Sequence, residues 1–187
     1  MNKQIDSIFN EQEIIEKIRE KLPYLFQLAE IDNSRDGKLG MEIGSARERI
    51  IIALLIYKFG EENIKTDTGK QISGVKLIWT VDAQKALEFA EKYSPKCDLL
   101  LVQINWNETG YLYYIPKEVQ TEVLKKIGRE NYLKLPKPGT NPRGVELNRS
   151  AIPDLTQHPE TRKIEIKWTR EEIGYNPYHR WVDHWKD

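Results

Sequence analysis

The chain has 187 residues and a mass of 22.0 kDa, and its 29 Lys and Arg residues balance its 29 Asp and Glu residues, so its formal net charge is zero. This length is typical of one domain with its own hydrophobic core, and we expect residues 1–187 to form a single domain. The balanced charge excludes a basic field over the whole surface, so any contact with nucleic acid must come from a local patch.

The cysteine content and the apolar runs indicate an intracellular, cytoplasmic protein. Cys97 is the only cysteine, so an internal disulfide is excluded and a reducing compartment is expected. No N-terminal segment has the apolar pattern of a signal peptide, and no apolar run is long enough to cross a bilayer. We therefore expect a soluble chain.

Two helices are predicted in the first thirty residues, separated at a proline. Asn10 and Glu13 have the three-residue spacing of a capping box, and apolar residues follow at helical spacing up to position 22. Pro23 lacks a backbone N–H, so we expect it to break this helix or to restart it. Residues 24–30 then form a second short helix.

The segment from Gly40 to Gly60 organises the predicted fold. Ser45 and Glu48 form a second capping-box pair, which places the start of a helix at this point. Nearly every residue from 50 to 59 is apolar, so this helix has no face suited to water. We expect it to be buried and surrounded by other elements. Gly60 supplies the permissive backbone that favours a helix end.

The pattern changes from helix to strand after this segment. A short extended piece is predicted at residues 63–67, and residues 75–81 alternate side chains as a strand does. Asp82 then provides an N-cap for an amphipathic helix over residues 83–93, which Pro95 terminates.

The second half of the chain predicts more strands and a further helix. The apolar start of a strand at residues 99–106 is typical of a central strand that is covered on both faces. The other predicted elements are a hairpin strand at 111–115, a helix from Pro116 to 127, a short strand at 132–135, a strand at 161–168 and a helix at 178–185. Together these elements predict a mixed α/β fold around one sheet.

Four stretches of the chain resemble the ThaI-type restriction endonucleases, which belong to the PD-(D/E)xK nuclease class. They are LPYLF at 22–26, GMEIGS at 40–45, RERIIIALLIYKFG at 47–60 and LPKPGTNPRG at 135–144. The resemblance implies an α/β fold in which a mixed sheet is flanked by helices, with one buried central helix. It also implies a magnesium-dependent homodimer that cuts both strands of double-stranded DNA at a short palindromic, GC-rich site.

The resemblance implies Glu48 as the catalytic acid on the helix and Lys65 as the catalytic lysine on a strand. Asp67 lies two residues from Lys65 and therefore on the same predicted strand face, which makes it the first choice for a second carboxylate. Glu48, Asp67 and Glu42 are the candidate metal ligands, because Mg²⁺ prefers oxygen ligands. Simpler alternatives exist: Glu48 could serve only the capping box with Ser45, and Lys65 could be an ordinary cation at a sheet edge.

The chain departs from the family pattern at the link between Gly60 and Lys65. The resemblance leads us to expect an acidic strand there, which supplies the first metal-binding aspartate. The residues between them reach only about 10–14 Å, which is too short for a full strand and a turn. A segment has been lost, or Asp67, Glu62 or Asp98 takes the place of that aspartate.

A loop rich in Pro, Gly and cations is predicted at residues 134–144. Lys137 and Arg143 suit contacts with phosphate, and Thr140 and Asn141 suit hydrogen bonds to phosphates or base edges. We therefore predict that this loop contacts DNA. The alternative is a solvated loop that its prolines stiffen.

Three functions are compatible with these patterns. The first is a type II restriction endonuclease that uses Mg²⁺ to hydrolyse DNA. The second is a catalytically impaired relative of such a nuclease that still binds DNA. The third is a non-enzymatic interaction domain, which the neutral net charge permits.

Overall fold

The structure of the protein is a computed structural model that describes residues 3–33, 41–63, 76–78, 80–136 and 144–174. Within these residues the helices are α1 (Lys3–Ile8), α2 (Gln12–Asn33), α3 (Met41–Phe59), α4 (Ala83–Lys92), α5 (Lys117–Ile127), α6 (Arg129–Tyr132) and α7 (Ala151–Thr156). The strands are β1 (Lys76–Ile78), β2 (Leu99–Gln103), β3 (Thr109–Ile115), β4 (Leu133–Lys134), β5 (Val145–Leu147) and β6 (Arg162–Lys167). A 3-10 turn at Glu61–Asn63 follows α3.

The described strands form two three-stranded sheets rather than the one sheet that the sequence patterns predict. One sheet has the order β1-β5-β4, and the other has the order β2-β3-β6, with every neighbouring pair antiparallel. In the second sheet, Leu101 on β2 pairs with Tyr113 on β3, and Leu112 pairs with Ile164 on β6. The predicted fold class, mixed α/β with helices flanking the sheets, is confirmed.

Apolar side chains cover both faces of the β2-β3-β6 sheet. Successive side chains of a strand point to opposite faces. Accordingly, Leu112 on β3 belongs to a core with α2, whereas its neighbours Tyr113 and Ile115 belong to a core with α4, α5 and α7. Helices α2 and α3 therefore lie on one side of this sheet, and α4 and α5 lie on the other.

Helix α2 continues through Pro23, so the prediction of two separate helices is wrong. Ile14, Ile18, Leu22 and Phe26 are all buried along one side of α2. This stripe keeps both halves of the helix against the same core. We attribute the continuity to that packing, which offsets the hydrogen bond that a proline cannot donate.

Neither predicted capping box marks the start of a helix. The Asn10 side-chain amide donates to the backbone oxygen of Asp6 at 3.0 Å, and α2 begins two residues later. Helix α3 begins at Met41, so Ser45 lies inside the helix rather than at its N-cap. The spacing of Ser45 and Glu48 therefore has another cause.

Helix α3 is less buried than its sequence predicts. The apolar side chains that pack on the α2 core are only partly buried; they are Ile50, Ile51, Leu54, Leu55 and Phe59. Tyr57 is 63% exposed. The prediction that residues 50–59 are fully buried is therefore wrong, because among the described elements α3 packs mainly against α2, on one side. No helix among the described residues, α3 included, is long and apolar enough to cross a membrane.

Several other local predictions are confirmed. The Asp82 carboxylate caps α4, because it accepts hydrogen bonds from the backbone N–H groups of Gln84 at 2.9 Å and Lys85 at 3.1 Å. Strands β2 and β3 form the predicted hairpin. Gly60 ends α3 and Gly128 ends α5, each with a positive φ that glycine adopts without strain. The sequence patterns missed α1, α6, α7 and β5.

Candidate active-site cleft

A cleft of about 1310 Å³ lies beside the edge of β2. Helices α3 and α4, which cover opposite faces of the β2-β3-β6 sheet, both line it, together with residues of β1 and β2. Among the described strands β2 pairs only with β3, so its other edge faces this cleft. The charged residues that line the cleft are Arg47, Glu48, Lys85, Glu88, Lys92, Lys96 and Asp98.

Glu48 lies on the α3 side of this cleft. Its proposed capping partner, Ser45, instead accepts a 3.5 Å hydrogen bond from Arg49, one turn further along α3. Within the described residues the Glu48 carboxylate has no hydrogen bond or ion pair. The capping box therefore does not explain this glutamate, and no described residue occupies its carboxylate.

Glu30, near the end of α2, fixes the part of α3 that carries Glu48. The Glu30 carboxylate accepts hydrogen bonds from the Arg47 guanidinium, from Trp106 Nε1 at 3.0 Å and from Arg170 at 2.7 Å. The Arg170 guanidinium also lies 4.2 Å from the centre of the Trp106 ring. We call these four residues, Glu30, Arg47, Trp106 and Arg170, the Glu30 network. The Glu30 side chain is only 19% exposed, so these charge-assisted bonds are partly shielded from water.

The opposite end of α3 is also tied to α2. The Lys58 ammonium group pairs with the Glu11 carboxylate, and Lys17 donates to the Tyr57 hydroxyl at 2.6 Å. Helices α2 and α3 therefore run antiparallel, with polar links at both ends. The Glu30 network sets the position of the end that enters the cleft.

Asp98 lies at the other end of the cleft from Glu48. The Glu30 network places the start of α3 near Trp106, which follows β2, whereas Asp98 precedes β2. From Asp98 to Ile104 the chain spans about 20 Å, at about 3.3 Å per residue. The Asp98 carboxylate accepts hydrogen bonds from the Tyr114 hydroxyl at 2.6 Å and from the backbone N–H of Lys117 at 2.8 Å. We therefore assign Asp98 to the packing of β3 and α5 rather than to a metal shared with Glu48.

The described residues do not complete a metal site. In residues 3–33, 41–63, 76–78, 80–136 and 144–174, no three His, Cys, Asp or Glu side chains come together as a ligand group. Of the candidate ligands Glu48, Asp67 and Glu42, only Glu48 has its side chain in this part of the chain. Glu62, one of the alternatives to the missing aspartate, lies in the 3-10 turn after α3, and its carboxylate accepts a 3.0 Å hydrogen bond from Asn63. A divalent cation beside Glu48 would need further oxygen ligands, from water, from a DNA phosphate or from residues beyond the described ones.

Most of the other predicted site residues lie outside the described residues. They are Lys65, Asp67, Lys137, Thr140, Asn141 and Arg143. Glu42 lies in the first turn of α3, but its side chain is not among those described. Lys134, which precedes the predicted DNA-contact loop, is described and pairs with Glu146 at 3.0 Å.

Two tyrosines that line the cleft are neutral hydroxyls at ordinary pH. Burial raises the pKa of Tyr93, and burial is also the main cause of the raised pKa of Tyr132, to which Tyr93 adds. Their rings stack with centroids 6.0 Å apart. This pair therefore contributes shape and apolar area to the cleft rather than charge.

Three lysines of the cleft did not appear among the predicted site residues. Lys85 and Lys92 lie on α4 and Lys96 follows it, and all three are exposed. The available signal was the seven-residue spacing of Lys85 and Lys92, which places them on one face of a helix. That spacing alone could not show that the face borders a cleft.

Two comparisons with known proteins match the chain over most of its length. The family model described as restriction endonuclease ThaI matches residues 8–68 and 63–187. A solved structure described as a restriction endonuclease in complex with substrate DNA is similar, with a TM-score of 0.85 and 47% sequence identity, and the match covers 97% of this chain and 98% of that chain. A search of curated proteins gives no match. The two stretches of the family match overlap at residues 63–68, just after the link that follows Gly60.

Proposed function

The chain belongs to the ThaI restriction endonuclease family, and from this premise we propose that it is a type II enzyme that hydrolyses double-stranded DNA at a short palindromic, GC-rich site. The observation that carries the proposal is the position of Glu48. Its carboxylate lies in the cleft without a partner among the described residues, on a helix turn that the Glu30 network fixes. The similar solved structure, which is in complex with substrate DNA, supports DNA as the ligand.

We propose Mg²⁺ as the cofactor, with Glu48, Asp67 and Glu42 as its protein ligands. Restriction endonucleases generally use divalent metal ions, and such an ion stabilises negative charge on the phosphate and helps to generate the attacking hydroxide. In this scheme Lys65 orients the water that attacks the phosphorus. The Glu30 network holds Glu48 in place before the substrate arrives, and such positioning lowers the entropy cost of the reaction.

We further propose that the enzyme works as a homodimer. A palindromic site has two-fold symmetry, and a dimer with a two-fold axis presents the same cleft to each DNA strand. One active site per protomer would then cut one strand each. The loop that contains Lys137, Thr140, Asn141 and Arg143 is proposed to contact this DNA.

The second candidate function is a DNA-binding relative that no longer cuts. It is favoured by one observation, the division of the family match into two stretches beside the link after Gly60. If this link removes a metal ligand, binding persists without hydrolysis, because phosphate and base contacts do not depend on the catalytic carboxylates.

One pair of assays separates the candidates. Plasmid DNA is incubated with the protein and Mg²⁺, and a gel-shift assay on duplex DNA is run beside it with Ca²⁺ or without metal. We expect discrete DNA fragments in the digest and a shifted band in the binding assay. A shifted band without fragments supports the impaired relative, and a protein that neither binds nor cuts DNA contradicts both candidates.

A further inference from the structure

The side of the cleft opposite α3 carries three lysines, Lys85, Lys92 and Lys96, which we name the lysine wall. On α4, Lys85, Phe89 and Lys92 follow one another at i, i+4 and i+7, which places them in one stripe of the helix. All of them line the cleft. The buried Ala86 and Ala90 each follow a residue of this stripe by one position, so the side of α4 next to the stripe packs in the core.

Both ends of α4 are fixed, so the lysine wall has a defined position. Asp82 caps the start of the helix through two backbone N–H groups. At the end of the helix, the Arg129 guanidinium donates to the backbone oxygens of Ala90, at 3.2 Å, and of Tyr93. The lysine side chains extend from an anchored helix rather than from a loop.

The lysine wall differs from three paired lysines on the helices of this protein. Lys17 on α2, Lys58 on α3 and Lys126 on α5 each pair with a carboxylate. By contrast, over the ranges of the chain that the structure describes, no lysine of the wall forms an ion pair or a side-chain hydrogen bond. Glu88 lies on the same helix, but its carboxylate accepts a 3.0 Å hydrogen bond from Gln84.

The remaining charges of the cleft do not supply partners for the wall. Arg47 is paired with Glu30, and Asp98 accepts hydrogen bonds from Tyr114 and Lys117. Glu48 lies on α3, on the opposite side of the sheet edge. Among the described residues, the cleft therefore has unpaired ammonium groups on one side and an unpaired carboxylate on the other.

We infer that the lysine wall is a contact surface for the phosphate backbone of duplex DNA, an inference that rests on the proposed function. Seven residues of α-helix separate Lys85 from Lys92, so they are about 10 Å apart along the axis. This spacing suits a polymer with repeating negative charges better than one small anion. A lysine contacts phosphate as a point charge, so the wall strengthens binding to all sequences without choosing among them.

The test is a salt series. Binding of a fluorescein-labelled, mixed-sequence duplex is measured by anisotropy in Ca²⁺ for the parent and for Lys85→Ala, Lys92→Ala and Lys96→Ala. The matched control is Lys125→Ala, because Lys125 is an exposed lysine on α5 that does not line the cleft. Each wall variant should lower the slope of log affinity against log salt by about 0.9 and weaken binding by roughly five- to tenfold at 0.1 M salt. Lys125→Ala should keep the slope of the parent.

The outcomes distinguish this inference from the proposed function. If the parent binds with a steep salt slope and the wall variants behave like Lys125→Ala, the inference is overturned and the nuclease proposal stands. If the parent does not bind duplex at all, both fail. Thermal melting of each variant checks the fold, and Lys92→Gln serves as a second variant if Lys92→Ala unfolds. A loss of affinity that appears only in a variant with lowered thermal stability counts against the inference.

Discussion

The core around β3 and the cleft beside β2 belong to one sheet, but they differ in whether their polar side chains have hydrogen-bond partners. In the core, the buried Gln27 both donates to and accepts from the backbone of Glu171, at 2.7 and 2.9 Å. Gln120, which is buried where the core borders the cleft, donates to two backbone oxygens. In the cleft, Glu48 and the lysine wall have no such partners among the described residues.

This difference in the pairing of polar groups indicates where a ligand binds. Burial of a polar group without a hydrogen bond costs free energy, so the core satisfies its amides internally. Charges that line a cleft keep contact with water and remain available to an incoming cation or phosphate. The comparison predicts that core substitutions change stability, whereas cleft substitutions change DNA binding or cleavage.

The largest expected change in stability is in the core. Leu112 is 2% exposed at the centre of the β2-β3-β6 sheet, and Leu112→Ala should lower the free energy of unfolding by about 2–5 kcal/mol, because it removes buried methyl groups and leaves a cavity. Urea unfolding measures the loss. Leu87→Ala is the control, since Leu87 is 45% exposed, and it should change stability by less than about 0.5 kcal/mol. Equal losses in the two variants would contradict the assigned core.

The Glu30 network lies between the two regions. Glu30→Gln keeps the shape of the side chain but removes its charge, and it should cost about 1–3 kcal/mol, because two guanidinium groups lose their carboxylate. Glu11→Gln removes the partner of Lys58 at the other end of α3, where the Glu11 side chain is 44% exposed, and should cost less than about 1 kcal/mol. Only Glu30→Gln should also raise the Mg²⁺ concentration that gives half-maximal cleavage. A shift of the same size in Glu11→Gln would show that the position of Glu48 does not depend on Glu30.

A smaller change is expected at the start of α4, which supports the lysine wall. Asp82→Ala removes the side chain that caps this helix and should cost about 1 kcal/mol, with a lower melting temperature. Asp82→Asn is the conservative partner, because asparagine caps helices about as well as aspartate. Thermal melting that is identical for Asp82→Ala and Asp82→Asn would argue against the cap.

The smallest stability change is expected for Glu48. This side chain has no partner among the described residues, so Glu48→Gln should alter the free energy of unfolding by less than about 0.5 kcal/mol. Chemical denaturation compares the parent and the variant. A loss of more than about 1 kcal/mol would place Glu48 among the structural residues, and the contrast between core and cleft would no longer hold.

Local patterns predicted the elements whose cause lies within a few residues. The Asp82 cap, the β2-β3 hairpin and the end of α5 at Gly128 each depend on neighbours in the sequence. The prediction of a helix break at Pro23 is wrong because the packing around this residue, rather than its own backbone, determines whether α2 continues.

Contacts between residues that are distant in the chain could not be predicted, because they produce no pattern in the sequence. The partners of Glu30 are 17, 76 and 140 residues away in the chain, so no motif connects them. The prediction that α3 is fully buried is wrong for the same reason. Its apolar sequence cannot show that, among the described elements, it packs mainly against α2. The resemblance to a nuclease family predicts a catalytic role for Glu48, and the structure places this residue at the cleft.

The most direct test of the account is the cleavage rate of Glu48→Gln under conditions in which DNA binding is measured separately. Single-turnover cleavage of plasmid DNA in Mg²⁺ should be at least about 100-fold slower than for the parent, because a metal ligand is lost. Affinity for the same DNA in Ca²⁺, measured by gel shift, should remain within a few-fold of the parent. A Glu48→Gln protein that cuts at the rate of the parent would contradict the assignment of the cleft as the active site.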